Sequence, residues 1–415
     1  FVRVRTCSRH LEKPMTKRLI LVALFALACG DDEPGMPSFE DWSAARPVPA
    51  QFLLLAEDTS ELTETGSMTL SFELSASASS IEVAAVTLPN YAVQITSILS
   101  PSGERHVALP DGMYNSAEAV LTRGFPESAA ADNVTFARFG DASFRYPNDA
   151  TTQLEAGRWE ITLSTFDVDI SVGAGIDFRT SRTRTPAPLH AKVFARVETV
   201  VEGAIDLHIL LGPSSGFESD TAFDSTALMG ALGTIDQIFA QQNVRIRDVI
   251  FEDVPDLPVS AALERDTCDP SQVLREIGSH VEVTPGYVPI VMIRGFSCLI
   301  PAGGGRRQNI GSAIGGFSPG IPGVYASRGE SILIGTSLLE GFPDEWTLIM
   351  AHEVAHFLGL MHVTQPGFDL DDNLDDTNNS GANLMFPLVD EITTEVLSDQ
   401  QGMVLRQSPY VQRIR

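Results

Sequence analysis

Residues 352–362 read His352-Glu353-Val354-Ala355-His356-Phe357-Leu358-Gly359-Leu360-Met361-His362. On an α-helix, residues four apart share a face, so the imidazoles of His352 and His356 project side by side. Gly359 can take a positive φ and end that helix. The chain then folds back and presents His362 as a third nitrogen. Three nitrogen donors leave one tetrahedral position of a zinc ion open to water, which is the arrangement of a catalytic zinc and not of a closed structural one. Zinc lowers the pKa of bound water towards about 7 and polarises a carbonyl. Glu353 lies one position after His352 and faces the same cleft obliquely. Its carboxylate suits a general base that takes the water's proton and then hands it to the leaving group. Two blander readings compete: a helix whose histidines only hydrogen-bond, and a metal-binding chain without activity. The intact Glu353 weighs against the second.

Several elements must place these residues. Pro343 suits the first turn of a helix, and Asp344 and Glu345 favour its positive end. Ile349, Met350, Phe357 and Leu358 supply its buried face. Upstream, Ala204–Leu211, Val244–Phe251, Val288–Ile293 and Ser331–Gly335 read as strands. Leu228, Leu232, Ile235 and Phe239 recur at i, i+4, i+7 and i+11, one face of a helix. Strands alternating with helices predict a mixed α/β sheet. Ser398-Asp399-Gln400-Gln401 is a capping box that opens a C-terminal helix towards Ser408. Residues 51–182 differ. Ser67–Leu74 alternates strictly, Val93–Leu99 runs into the turn Pro101-Ser102-Gly103, and Gly157–Ser164 alternates again. Short strands without a 3.6-residue period predict an antiparallel β-sandwich, either a spacer or a binding module. Ser181–Pro188 reads as a Pro/Thr-rich link. The Gly303-Gly304-Gly305 run has no following Lys-Ser/Thr and is a loop, not a phosphate cradle.

The His-Glu-x-x-His-x-x-Gly-x-x-His pattern, with Asn383-Leu384-Met385-Phe386-Pro387 downstream, resembles the metzincin zinc metallopeptidases and their Met-turn. The resemblance spans roughly residues 190–415, with specific motifs only from 352 to 387. It implies zinc ligands His352, His356 and His362, Glu353 as general base and then acid, and Met385 packed beneath the metal without binding it. Together with the segment patterns, the resemblance predicts a multi-domain chain. Residues 1–28 are an upstream segment and signal peptide, and 29–50 a tether. Residues 51–182 form the all-β sandwich, and 188–415 an α/β domain with a twisted mixed sheet, an active-site helix and a small C-terminal subdomain. It also implies an endopeptidase acting on a protein or peptide laid along an edge strand, expected at Ser331–Gly335. Val363 after the third histidine, and no tyrosine two places after Met385, depart from several subfamilies. The stretch from Gly367 to the Met-turn resembles pappalysin-like bacterial members.

Composition limits the alternatives. The 415 residues are 43% apolar and 20% charged, enough to build a core. A net charge of −26 repels phosphate backbones, so nucleic acid is excluded as a partner through any basic face. Met15-Thr16-Lys17-Arg18 followed by apolar Leu19–Ala28 reads as an export signal with residues 1–14 ahead of it. Ala28-Cys29-Gly30-Asp31 resembles a bacterial lipobox, which makes Cys29 a lipid anchor and the only membrane attachment; plain secretion is the rival. Cys268 and Cys298 then remain, a disulfide or two buried thiols. Asp369, Asp371, Asn373 and Asp375 are spaced oxygen donors for Ca²⁺, or a solvated acidic loop. His106, His190, His208 and His280 have no spacing partner and read as structural or surface residues. The competing function class is a surface-binding protein with a vestigial zinc site.

Overall fold

Strict alternation gives a strand one face to bury, and the N-terminal half of the chain is built on that rule. The computed structural model describes residues 51–60, 65–88, 91–108, 141–147, 152–172, 176–213, 215–257, 286–294, 313–314, 331–339, 341–365, 368–371, 374–377, 380–386 and 395–414, with 149, 284 and 392. Its first nine strands are β1 (Phe52–Ser60), β2 (Ser67–Leu74), β3 (Ser80–Thr87), β4 (Tyr91–Leu99), β5 (Arg105–Ala108), β6 (Asp141–Tyr146), β7 (Gly157–Val172), β8 (Ile176–Arg184) and β9 (Leu189–Arg196). They form two antiparallel sheets, β1-β9-β3-β6 and β2-β7-β4-β5, with β8 added along β7. Met68, Leu70, Phe72 and Leu74 of β2 share one buried cluster with Ile95, Trp159 and Ile161 of their own sheet. Ile81, Val83 and Val193 of the facing sheet complete it. That is sandwich packing.

The expected link at 181–188 and the strand after it need correction. Ser181–Arg184 belong to β8, and β9 pairs with both β1 and β3 in the sandwich. The Pro-rich stretch 185–188 passes from one sheet of the sandwich to the other. Local composition marks a turn there but cannot say what the turn connects.

The second half changes period. Strands β10 (Gly203–Leu211), β11 (Val244–Asp253), β12 (Tyr287–Ile293), β13 (Ala313–Ile314) and β14 (Ile332–Gly335) make a sheet of order β11-β10-β12-β14-β13. β10, β11, β12 and β14 run parallel, β13 is antiparallel to β14, and β17 (Gln412–Arg413) pairs with the start of β10. All nine residues of β10 are buried, as expected of a central parallel strand. Helix α1 (Thr226–Ala240) is capped by Ser225 and buries Leu228, Leu232, Ile235 and Phe239, the face its sequence predicts. Helix α2 (Pro343–Phe357) and helix α3 (Asp399–Gln407) complete this β-rich mixed α/β part, with a short pair of strands, β15 (Thr364–Gln365) and β16 (Phe368–Asp371). The expected edge strand at Ser331–Gly335 lies inside the sheet, flanked by β12 and β13. The terminal strand of the described sheet on that side is β13. Its two residues carry too little pattern to be seen in sequence.

Arg46–Arg415 cluster as one compact unit. The sandwich contributes to this through its outer face. Ser80, Glu82, Ala84 and Val86 of β3 point away from the sandwich cluster yet are buried. So are Arg145, Phe194 and Arg196 on the same side.

Candidate metal centre

Helix α2 starts as its sequence predicts, with Pro343 in the first turn beside Asp344 and Glu345. Trp346 Nε1 donates to Gly335 O at 2.8 Å, which fixes the helix to the end of β14. The far end is a Schellman turn. The amide of Leu360 donates to Ala355 O at 3.0 Å and that of Gly359 to His356 O at 2.9 Å, with Gly359 at φ +111. The turn reverses the chain within three residues and returns His362 towards the helix.

The three histidines meet. His362 Nε2 lies 3.2 Å from His352 Nε2 and 3.0 Å from His356 Nε2. Nitrogens held tetrahedrally at 2.0–2.1 Å from a zinc ion stand about 3.3–3.4 Å apart, so the spacing fits such an ion closely. The tautomers fit as well. His352 Nδ1 lies 2.7 Å from Leu384 O, and His356 Nδ1 lies 2.7 Å from Leu360 O. A carbonyl only accepts, so both Nδ1 atoms carry the proton. Burial pushes the His352 imidazole down to about 4 and that of His356 well below its usual value, so both rings are neutral. Their bare Nε2 lone pairs therefore converge with His362 Nε2 on one point, an arrangement that a cation relieves. Among the described residues this is the group of metal-ligating side chains whose donor atoms gather within 4.8 Å.

His352 is buried, while His356, His362 and Glu353 reach solvent in part. The centre is thus open on one side. Most of Glu353 is enclosed by protein, and burial pushes its carboxyl up to about 8. A dication beside it acts in the opposite sense and favours the carboxylate.

Met385 is fully buried in the cluster that holds Met350, Val354 and Ala355 of α2. Its carbonyl accepts from Val363 N at 3.0 Å, next to His362. Leu384, whose carbonyl orients His352, is held by a polar network that sequence reading did not connect to the site. Asn383 Oδ1 accepts from the amide of Met385 at 2.8 Å. The amide side chains of Asn383 and Gln401 bond reciprocally at 3.0 and 3.1 Å. Gln401 is the far partner of the α3 capping box, bonded to Ser398 in both directions. The available signal was Asn383, a lone amide directly before the apolar Leu384-Met385-Phe386.

Other expected sites fall elsewhere. Cys29, Cys268, Cys298 and Asn373, and the side chains of Asp369 and Asp371, lie outside the described residues. Asp375 is exposed; its amide donates to Gln400 Oε1 at 3.0 Å, while Asp376 accepts from Gln400 N. These two residues therefore brace the start of α3. His190 is bonded to Glu57 at 2.9 Å and His208 to Glu252 at 2.9 Å, and His106 stacks on Trp159. All three have structural partners.

No family model matches the chain, and no curated protein matches it in sequence. Among solved structures, the chain is similar to a crystal structure of metalloproteinase-II from Bacteroides fragilis, with 14% identity and a TM-score of 0.32. The match covers 51% of this chain and 54% of that one, so the chain spans about half the length of this neighbour. A likeness so partial leaves the functional reading to rest on the histidines.

Proposed function

We propose that this chain is an exported zinc-dependent endopeptidase of metzincin type. The observation that carries the reading is the convergence of three Nε2 atoms, two of them with tautomers fixed by backbone carbonyls, at the open end of a helix that also bears Glu353. His352, His356 and His362 would hold the metal. When bound, zinc supplies Lewis acidity: it acidifies a water molecule and draws charge from a carbonyl oxygen. Glu353 takes a proton at its carboxylate and delivers it to the departing amine nitrogen, as a general base and then acid. Met385 fills the floor of the site. An extended peptide would add to the sheet beside β13, which lies against α2 together with β14.

The test is direct. The full chain should cleave casein or a quenched-fluorescence peptide library, lose turnover to a chelator and regain it with zinc. Glu353→Gln should keep one zinc per chain and lose about 10²–10⁴-fold in kcat. Full activity in that variant, or turnover indifferent to the chelator, overturns the mechanism. Zinc binding without any turnover in the wild type would point instead to a surface protein with an inactive metal centre. The export reading carries its own proposal, a lipid on Cys29, with radiolabelled palmitate incorporation expected in the wild type and lost in Cys29→Ser.

A further inference from the structure

The sandwich reaches the metal centre through a buried arginine. Arg145, on β6, is 1% exposed, and its Nη1 donates to Leu358 O at 3.4 Å. Leu358 is the last residue of the α2 end, where helix carbonyls have no partner within the helix and carry partial negative charge. A guanidinium there complements both. It also occupies space: a Cβ added to Gly359 would fall on the Arg145 guanidinium. The Schellman turn that returns His362 is therefore packed against a cation contributed from more than two hundred residues earlier in the chain.

That cation is built in. Burial lowers the Arg145 guanidinium to about 10, with Glu82, its cross-strand partner on β3, acting in the opposite sense. It stays charged at neutral pH. A second arginine anchors the same face. Arg196 of β9 donates to Ser408 O at 2.7 Å and Val411 O at 2.8 Å, the segment that follows α3. Gln407 Nε2 also donates to Asp149 O at 3.3 Å. The sandwich thus grips the α/β part at the end of α2 and at the end of α3.

We propose that Arg145 is a positioning residue for the metal centre: it braces the Leu358-Gly359 turn so that His362 meets His352 and His356, which makes the sandwich part of the support of the site. This rests on the reading of the histidines as metal ligands and adds the support they require. The Val363–Met385 bond holds the far side of the return segment, and Arg145 holds the side at the helix end, so that the three donors are gathered before binding.

Full-length wild type, Arg145→Ala, Arg145→Lys and, as a control on the same sandwich, the exposed Arg158→Ala are compared. Zinc dissociation constants come from chelator competition, coordination geometry from the visible spectrum of the Co²⁺-loaded proteins, and turn mobility from amide exchange across residues 358–363 without metal. In Arg145→Ala the zinc Kd should rise about 10–100-fold, as for loss of other supports behind metal ligands. The Co²⁺ bands should shift and exchange at 358–363 should quicken. Arg145→Lys should fall between, since an ammonium keeps the charge but not the planar filling of the space beside Gly359. Arg158→Ala should match the wild type. A zinc Kd within twofold of wild type together with an unchanged Co²⁺ spectrum in Arg145→Ala overturns the proposal, even if thermal stability falls. Should Arg145→Ala fail to fold, the same result in Arg145→Lys overturns it. A wild type that binds zinc but cleaves nothing sinks the peptidase reading alone, and the Kd ratio still decides the role of Arg145.

Discussion

Gly359 answers to two constraints that act independently. Its φ of +111 lies where a side chain is strained, and its α-hydrogen side faces the Arg145 guanidinium. Backbone strain alone costs about 1–3 kcal/mol at such a position. Gly359→Ala should therefore destabilise the metal-free protein by about 3 kcal/mol in urea unfolding, with overpacking adding to strain. The two contributions separate in a double-mutant cycle. In an Arg145→Ala background the new methyl meets no guanidinium, so the same substitution should cost at least about 0.5 kcal/mol less. Equal costs in both backgrounds would mean that strain acts alone. The histidines obey a related logic at the same scale. Each fixed tautomer depends on a carbonyl, Leu384 O or Leu360 O, that no side-chain substitution removes directly. Their weak point is the backbone that carries those oxygens.

Between elements, helix α3 is coupled to the Asn383–Phe386 turn by Asn383 and Gln401. Gln401 serves its own helix as the capping partner of Ser398 and serves Asn383 at the same time. Truncating it orphans buried donors and acceptors, each worth about 1–3 kcal/mol, and removes the acceptor of the Ser398 amide from the capping box while the Ser398 hydroxyl still caps the helix. Asn383→Ala is the more informative change. It frees the amide of Met385 and loosens the turn whose Leu384 carbonyl orients His352. We expect its zinc Kd to rise about tenfold or more by chelator competition, in keeping with other second-layer losses. A stability loss with unchanged zinc affinity would confine Asn383 to a folding role.

Over the whole molecule, the contact between sandwich and α/β part is polar at its centre. Glu82 is fully buried there, facing Arg145 and Arg196. Burial pushes its carboxyl up to about 8 against the pull of both arginines. A carboxyl whose folded pKa exceeds its unfolded value binds its proton more tightly when folded. It contributes stability that is fully present below the unfolded value of 4.5 and lost as pH rises through about 8. Against Glu82→Gln, which cannot ionise, wild-type stability should decline by a few kcal/mol between pH 4.5 and 8 and then level off. Urea midpoints of the two proteins across that range measure it. A constant difference would show that the arginines keep Glu82 ionised throughout.

Much of the candidate metal centre was legible in order along the chain. The i, i+4 histidines, the glycine stop and the returning His362 are local, and local spacing fixes which donors can meet. Helix α1, the capping box of α3 and the alternating strands β2 and β7 were readable for the same reason, since each depends on residues within one or two turns of itself. What escaped were partnerships between distant segments. β9 looked like the opening of a new domain because its pairing to β1 crosses more than a hundred residues. The edge of the parallel sheet moved from β14 to β13 because a two-residue strand has almost no pattern. In the local sequence nothing sets Arg145 and Glu82 apart from outward-facing charges of a sandwich. Alternation gives a side chain its face, but only the packing of a second body on that face decides whether it meets water or a helix end.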